Sequence, residues 1–378
     1  MKASLYLHIP FCQRKCSYCD FNSFESPGMS LGEYAGLLRA ELAGTAQRFS
    51  VTRVPTVYFG GGTPSLLPPP VVKELLQAAG LYYSLDADVE VTMEANPGTV
   101  TLDSLSGYRD AGVNRLSLGI QALEDRQLAI LGRIHTADEA RDALKLARRA
   151  GFANVGIDLM HSLPGQSLAQ WEATLRQAVE LEPEHVSAYG LSVELGTPFA
   201  ALASSGKLLL PDEDAAAAMF EFTAEYLTAA GYEHYEISNF ARPGCRSRHN
   251  QVYWRRENYL GFGAGAHSFA RQPGFGLRWE NPPGLAEYAA CLQGTGGSVE
   301  EVVSREDAMA EFFFLGLRML DGVDLAEFAA EFGISAEEAF PGVIGRFTAS
   351  GLLLKEGERI SFTRRGVLLA NRVLAEFV

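Results

Sequence analysis

From residue 5 to about residue 193, short runs rich in β-branched and aromatic residues alternate with longer stretches whose apolar positions recur every three or four residues. The first pattern is that of a strand and the second that of an amphipathic helix, so their alternation predicts repeated βαβ units around a parallel sheet. The predicted strands are residues 5–9, 56–59, 90–94, 115–120, 154–160 and 185–191, each followed by a Gly, Pro or polar turn. Helices are predicted between them, among others over residues 30–49 and 137–150. Six such units fit an incomplete barrel.

Residues 211–230 read as a further helix and residues 232–240 as one strand. Residues 242–275, rich in Gly, Arg and aromatic side chains, read as irregular loop. Beyond Pro282 the pattern is mainly helical, with a small hairpin over residues 351–361. The expected fold class is α/β, a parallel barrel-like domain over residues 1–281 followed by a compact, winged-helix-like domain over residues 282–378.

A chain of 378 residues has room for one large domain and a smaller one. Hydrophobic residues at 47% and charged residues at 21% place it among ordinary folded proteins rather than disordered or fibrous ones. The formal charge of -14 argues against a sequence-wide attraction to nucleic acid or anionic lipid. Residues 300–378 carry no concentrated basic helix, so their winged-helix-like pattern is read as a cap or partner surface. The N-terminal stretch lacks the long apolar core of a secretory signal, and no apolar run reaches the ~18–20 residues that cross a bilayer. A cytoplasmic protein without a transmembrane segment is expected, and any membrane contact would be peripheral.

Cys12, Cys16 and Cys19 stand in the spacing C-x3-C-x2-C directly after the first predicted strand. Thiolates are the preferred ligands of iron–sulfur clusters, and three of them on a cluster of four irons leave one iron open to a ligand. A structural zinc site is the alternative, but such sites close with four ligands, and only the isolated Cys245 and Cys291 remain.

Around these cysteines, His8, Ile9, Pro10, Phe11, Tyr18, Asp20 and Phe21 complete a segment that resembles the cluster loop of the radical SAM superfamily, more narrowly its HemN/HemW branch. The resemblance implies a partial (β/α)6 barrel. It also implies a [4Fe-4S] cluster, held by Cys12, Cys16 and Cys19, whose open iron chelates the amino and carboxylate groups of S-adenosylmethionine. The run Gly60, Gly61, Gly62, Thr63 and Pro64 resembles the family's element that holds the methionine amino group. Read without the family, it is a glycine turn that allows close backbone approach to a ligand.

Glu94, Gln121 and Asp158 are polar residues at or near predicted strand ends. Asp158 needs a partner there, such as Arg133, a backbone amide or a ribose hydroxyl, because a buried carboxylate is costly without one. By resemblance, Tyr6, Tyr18, Gly61, Gly62, Thr63, Glu94, Gln121, Arg133 and Asp158 fall on positions that contact S-adenosylmethionine, and Ser192 is a looser match.

Within the branch, oxygen-independent coproporphyrinogen III oxidases carry a further cysteine two residues beyond the third ligand, where this chain has Phe21, and an N-terminal extension. The chain begins only five residues before Tyr6. Both departures resemble the haem chaperones of the HemW type, which bind haem and hand it to haem-requiring enzymes of the respiratory chain; this is the preferred reading, without coproporphyrinogen III oxidase activity, and an oxidase using deoxyadenosyl-radical chemistry is the alternative. His249, Asn250, Tyr253 and Trp254 form H-N-x-x-Y-W, similar to that group's haem-associated motif. His249 is therefore the expected haem ligand, with Cys245 and His267 as other candidates, and Arg242, Arg246, Arg248, Arg255 and Arg256 are expected to pair with propionates. Without the family, His249 and Trp254 read as anchors of an irregular loop. Haem, respiratory enzymes at the membrane surface and a second copy of the chain are the expected partners.

Overall fold

A computed structural model describes residues 1–25, 28–295 and 297–378. Six parallel strands, β1 (Ser4–Ile9), β2 (Val54–Gly61), β3 (Leu85–Ala95), β4 (Arg115–Gln121), β5 (Val155–His161) and β6 (His185–Gly190), pair in chain order. They coincide with the six predicted runs, the largest difference being that β3 starts at Leu85. Their alternation divides two faces. Leu5, Leu7, Val57, Phe59, Leu116, Leu118, Ile157, Leu159 and Val186 enter the main hydrophobic core beneath the helices. The intervening positions face the other way, toward the barrel interior.

The helices begin where the sequence places capping residues. Ser30 with Glu33, Thr136 with Glu139 and Ser167 with Gln170 form reciprocal capping boxes at Leu31–Arg48, Ala137–Arg149 and Leu168–Glu180. In the second of these, Ala140, Ala143, Leu144 and Ala147 make the buried stripe against the sheet.

The sheet continues beyond the six strands with β7 (Glu233–Glu236), β8 (Asn239–Ala241), β9 (Tyr259–Phe262), β10 (His267–Ala270), β11 (Leu277–Glu280) and β12 (Val299–Val302). The observed order is β12-β11-β10-β9-β1-β2-β3-β4-β5-β6-β8-β7. Among the described residues no ladder joins β7 to β12, so the barrel is open. No described helix is long and apolar enough to cross a membrane.

Two expectations are corrected. Residues 232–240 form not one strand but the hairpin β7–β8. The Glu236 carboxylate accepts from Ser238 N at 3.1 Å and from the Asn239 amide, which holds the chain in a tight reversal. Residues 242–275 are not irregular throughout: they contain the helix Arg248–Trp254 and the strands β9 and β10. Gly261, Gly263 and Gly265 in this stretch serve close packing rather than looseness. A side chain at Gly261 would collide with the His267 carbonyl on the next strand.

The C-terminal region has a three-stranded sheet of β13 (Val323–Asp324), β14 (Leu353–Glu356) and β15 (Arg359–Phe362), ordered β13-β15-β14, with helices Arg305–Gly316, Leu325–Phe332 and Val343–Ala349 around it. The β14–β15 hairpin is the one predicted over residues 351–361. Phe313, Phe328, Phe332, Ile360, Val373 and Phe377 form its separate core. Leu285 and Tyr288 pack into the main core and the second core takes up at Val303 apart from Phe269, so the change of packing falls later than residue 282. The seam combines apolar contacts, such as Phe275 stacked on Phe332, with ion pairs and hydrogen bonds. Arg256 pairs with Glu311 at 2.8 Å and Glu331 at 3.2 Å, while Leu320 N donates to Tyr235 O at 3.0 Å along the edge of β7.

Candidate cofactor site

The loop after β1 is pinned at both ends by backbone. Cys12 N donates to Phe24 O at 2.9 Å, Phe24 N to Pro10 O at 2.7 Å, and Ser17 N to Leu131 O at 3.0 Å. These bonds turn Cys12, Cys16 and Cys19, all half-buried and unoxidised, toward one cavity of about 410 Å³. Arg133 Nη1 lies 3.4 Å from Cys16 Sγ and Thr63 Oγ1 lies 3.6 Å from Cys12 Sγ, so each of these sulfurs has a hydrogen-bond donor beside it. Burial pushes the Cys19 thiol up.

No three His, Cys, Asp or Glu side chains among the described residues gather as a single-ion site requires. Three thiols set around a roomy cavity, with Cys245 and Cys291 outside its lining, suit a multi-iron cluster with one iron free of protein ligands rather than a four-ligand zinc ion.

The glycine turn at the end of β2 is required by space. A Cβ on Gly60 would stand 2.8 Å from the Tyr6 ring, one on Gly61 2.6 Å from the His8 ring, and one on Gly62 2.7 Å from the Phe11 carbonyl oxygen. Gly61 also has φ +114°, which an L side chain rarely adopts. Its amide donates to Glu94 Oε2 at 3.1 Å, and the Tyr58 hydroxyl donates to Glu94 Oε1 at 2.8 Å. Burial raises the Glu94 carboxyl to about 7 against the lowering effect of these two donors.

Beside it, Arg133 Nη2 donates to Asn96 Oδ1 at 2.5 Å and to Gly119 O at 2.6 Å, and Asn96 Nδ2 donates to Thr63 Oγ1 at 2.9 Å. The Arg133 guanidinium thus braces the cluster loop, not Asp158. The partner of Asp158 is the Ser117 hydroxyl, 3.2 Å from each carboxylate oxygen, and burial raises its pKa. Gln121 sits at φ +67°, in the left-handed region uncommon for a residue with a Cβ, at the mouth end of β4.

The structure therefore brings Cys12, Cys16, Cys19, Tyr18, Gly61, Gly62, Thr63, Glu94, Gln121, Arg133, Asp158 and Ser192 to one cavity. Ser192 donates to Glu194 at its rim. Tyr6 does not line it: it lies behind Tyr58, its hydroxyl 3.1 Å from His8 Nδ1. Sequence reasoning missed Tyr58, Asn96, Arg115, Ser117, His185, Ser187 and Tyr189, which also line the cavity, and Asn250, read there as part of the haem-associated motif, lines it too. The signal for most of them was the alternation within strands: 115, 117, 119 and 121 on β4, and 185, 187 and 189 on β6, share one face.

His249 is placed differently from the expectation of a presented haem ligand. It is buried, with Nδ1 2.7 Å from the Thr56 hydroxyl and Nε2 2.8 Å from the Tyr253 hydroxyl, so both ring nitrogens are engaged. It stacks on Tyr58 at 4.9 Å, and its backbone N–H donates to Glu90 at 3.1 Å. Burial, with Arg115 nearby, lowers its pKa to about 3. The H-N-x-x-Y-W motif here closes the lower end of the barrel.

Most of the expected propionate arginines are taken by the protein as well. Arg246 pairs with Glu233 and Asp321, Arg248 with Asp88, Arg256 with Glu311 and Glu331, and Arg242 donates to Ala230 O. Cys245 packs with Tyr235 and Met319, and exposed His267 lies 3.6 Å from Glu280.

Comparison with known proteins accords with this geometry. The family model of the radical SAM superfamily matches residues 6–178, and that of the HemN C-terminal domain matches residues 303–369. The chain is 36% identical to heme chaperone HemW of Bacillus subtilis over 99% of both chains. It is 39% identical to heme chaperone HemW of Escherichia coli over 99% of this chain and 98% of that one. Its fold is that of the solved coproporphyrinogen III oxidase (HemN) of Escherichia coli, a radical SAM enzyme, with a TM-score of 0.83, 24% identity and coverage of 99% of this chain and 89% of the other.

Proposed function

The chain belongs to the radical SAM superfamily and, within it, to the heme chaperone HemW family, and from that premise we propose that it is a haem chaperone that binds haem and delivers it to haem enzymes of the respiratory chain. The observation that carries this reading is the similarity to chaperones of that name through both the barrel and the C-terminal region. Membership of the superfamily implies a [4Fe-4S] cluster and S-adenosylmethionine. Cys12, Cys16 and Cys19 would hold the cluster, which when bound supplies an open iron for the methionine end of S-adenosylmethionine and a source of an electron.

The remaining work falls to this chain's own side chains. Glu94, oriented by Tyr58 and the Gly61 amide, offers a carboxylate to an ammonium group. Asp158, held by Ser117, offers acceptors to hydroxyls such as those of a ribose. Gly61, Gly62 and Thr63 bring backbone close to the ligand, Arg133 and Asn96 lock that strand end against the cluster loop, and Gln121, Tyr18 and Ser192 stand at the rim. In this reading the protein works in the cytoplasm and meets membrane-bound recipients at the membrane surface.

Oxidation of coproporphyrinogen III is not favoured. Phe21 is exposed where the oxidases carry their extra cysteine, and the likeness to the solved oxidase establishes the fold alone.

The test is anaerobic reconstitution followed by separate titrations with haem and coproporphyrinogen III. Stoichiometric haem binding by absorbance, with no porphyrinogen turnover, is expected. Protein with an intact cluster that leaves haem unbound, or that forms protoporphyrinogen, overturns the proposal. A mass measurement on the same samples reads whether haem loading pairs two copies.

A further inference from the structure

Arg115, at the start of β4, is only 2% exposed and lines the lower part of the cavity. Its guanidinium forms no hydrogen bond or ion pair with any described residue, and its Nε is sealed away without a partner. Asp158, held by Ser117, feels the charge of Arg115 through space but makes no hydrogen bond or ion pair with it. The carboxylates of Asp158 and Glu94 line the same cavity but act on Arg115 only through space, so a counter-charge in direct contact with the guanidinium would be favoured.

His185, at the start of β6, points a second donor to the same place. Its Nε2 lies 2.8 Å from the Tyr235 hydroxyl, and that hydroxyl already accepts from Ser247 N at 3.3 Å. With the tyrosine proton directed at Nε2, the imidazole proton stands on Nδ1. This Nδ1 is buried and has no partner.

Between the two donors stands Gly156 of β5, in register with both His185 and Ser117. The point that its Cβ would fill is 3.4 Å from His185 Nδ1 and 3.5 Å from Arg115 Nη2. From Arg115 to Gly119, where Arg133 braces the mouth, β4 rises ~13 Å at about 3.3 Å per residue, so the two places are separate.

We propose that Arg115, His185 and the gap at Gly156 form an anion subsite on the cavity floor that takes a carboxylate group. One fixed cation balances one negative charge, and the guanidinium fork with a neighbouring N–H matches the two oxygens of a carboxylate. The carboxylate comes either as a free small acid or as the arm of a larger ligand such as haem, and the second source rests on the chaperone reading above.

The experiment compares the reconstituted full-length protein with Arg115→Met and Gly156→Ala, the second of which fills the gap while keeping the charge. Each is titrated with sodium acetate by calorimetry at constant ionic strength, and with haem and haem dimethyl ester by absorbance. For a free acid, both variants bind acetate about tenfold more weakly or worse. For a carboxylate arm, the wild type prefers haem to its ester and the variants lose that preference. Without acetate, Arg115→Met melts no lower than the wild type, since an unpaired charge has been removed.

Acetate binding and ester discrimination that are both absent from the wild type, or both unchanged in the variants, overturn the proposal. So does a marked fall in the melting temperature of Arg115→Met, which would mean that the guanidinium is satisfied within the fold. A wild type that binds no haem at all sinks the chaperone reading, while the acetate titration still decides the subsite.

Discussion

The mouth and the floor of the cavity are built on opposite principles. At the mouth, most polar groups answer one another: Arg133 to Asn96 and Gly119, Asn96 to Thr63, Tyr58 and the Gly61 amide to Glu94, with Arg133 Nε alone of these left without a partner. On the floor, His249 and Glu90 are paired, but Arg115 and His185 Nδ1 are not. A mouth whose groups are already bonded is rigid and preorganised, so a ligand there finds its contacts in place. A floor with unspent donors gains most from a ligand that supplies the missing charge.

The comparison is broken most completely by Cys12→Ser. The cluster's absorbance after reconstitution should be lost, while far-UV circular dichroism stays that of the wild type, because the half-buried loop thiol lies outside both hydrophobic cores. Unchanged cluster content would remove Cys12 from the ligand set.

Next in size is Gly62→Ala, whose methyl meets the Phe11 carbonyl oxygen. Overpacking of ~1–3 kcal/mol corresponds to a roughly five- to 150-fold weaker S-adenosylmethionine affinity, measured by equilibrium dialysis. Full affinity would show that the turn does not approach the ligand.

Glu94 sharpens the contrast through pH. Its carboxyl titrates at about 7 when folded against 4.5 for the ordinary group, so S-adenosylmethionine affinity should fall as pH drops through about 7 and the carboxylate is lost. Glu94→Gln should bind ~10-fold more weakly with a flatter profile. Stability of the ligand-free chain should run in the opposite sense. Between 4.5 and about 7 the folded state holds more protons than the unfolded one. This contribution is therefore fully present below 4.5 and is lost as pH rises through about 7, which denaturant melts can follow. Glu41, also raised to about 7 by burial, adds to the same trend.

The smallest effect on ligand binding is expected at His249→Phe, which keeps an aromatic ring against Tyr58 but deprives the Thr56 and Tyr253 hydroxyls of their partner. The cost should be about 1–3 kcal/mol in chemical denaturation, with haem affinity unchanged. Lost haem binding at unchanged stability would return the imidazole to the role of haem ligand.

The mouth was far more legible in the sequence than the floor. Cys12, Cys16, Cys19, the glycine run and Glu94 lie on a loop or at the ends of strands, where local spacing announces chemistry. Arg115 and His185 lie at strand beginnings. Only the two-residue alternation within β4 and β6 marks them as inward, and only neighbouring strands show that no partner reaches them. Residues 242–275 were misread because glycine marks both a flexible turn and a close approach. Gly261 is the second kind, a fact that depends on His267 across a strand pair.

By itself the sequence determined the order of the six parallel strands, the capped helices between them, the C-terminal hairpin and the three-thiol loop, because each is written in residues within a few positions of one another. Tertiary structure alone decided the fate of the arginines and of His249. Whether Arg256 meets Glu311, Arg248 meets Asp88 or His249 meets Thr56 depends on bringing together residues far apart in the chain, and electrostatic and hydrogen-bond energies fall off over a few ångströms that sequence separation does not measure.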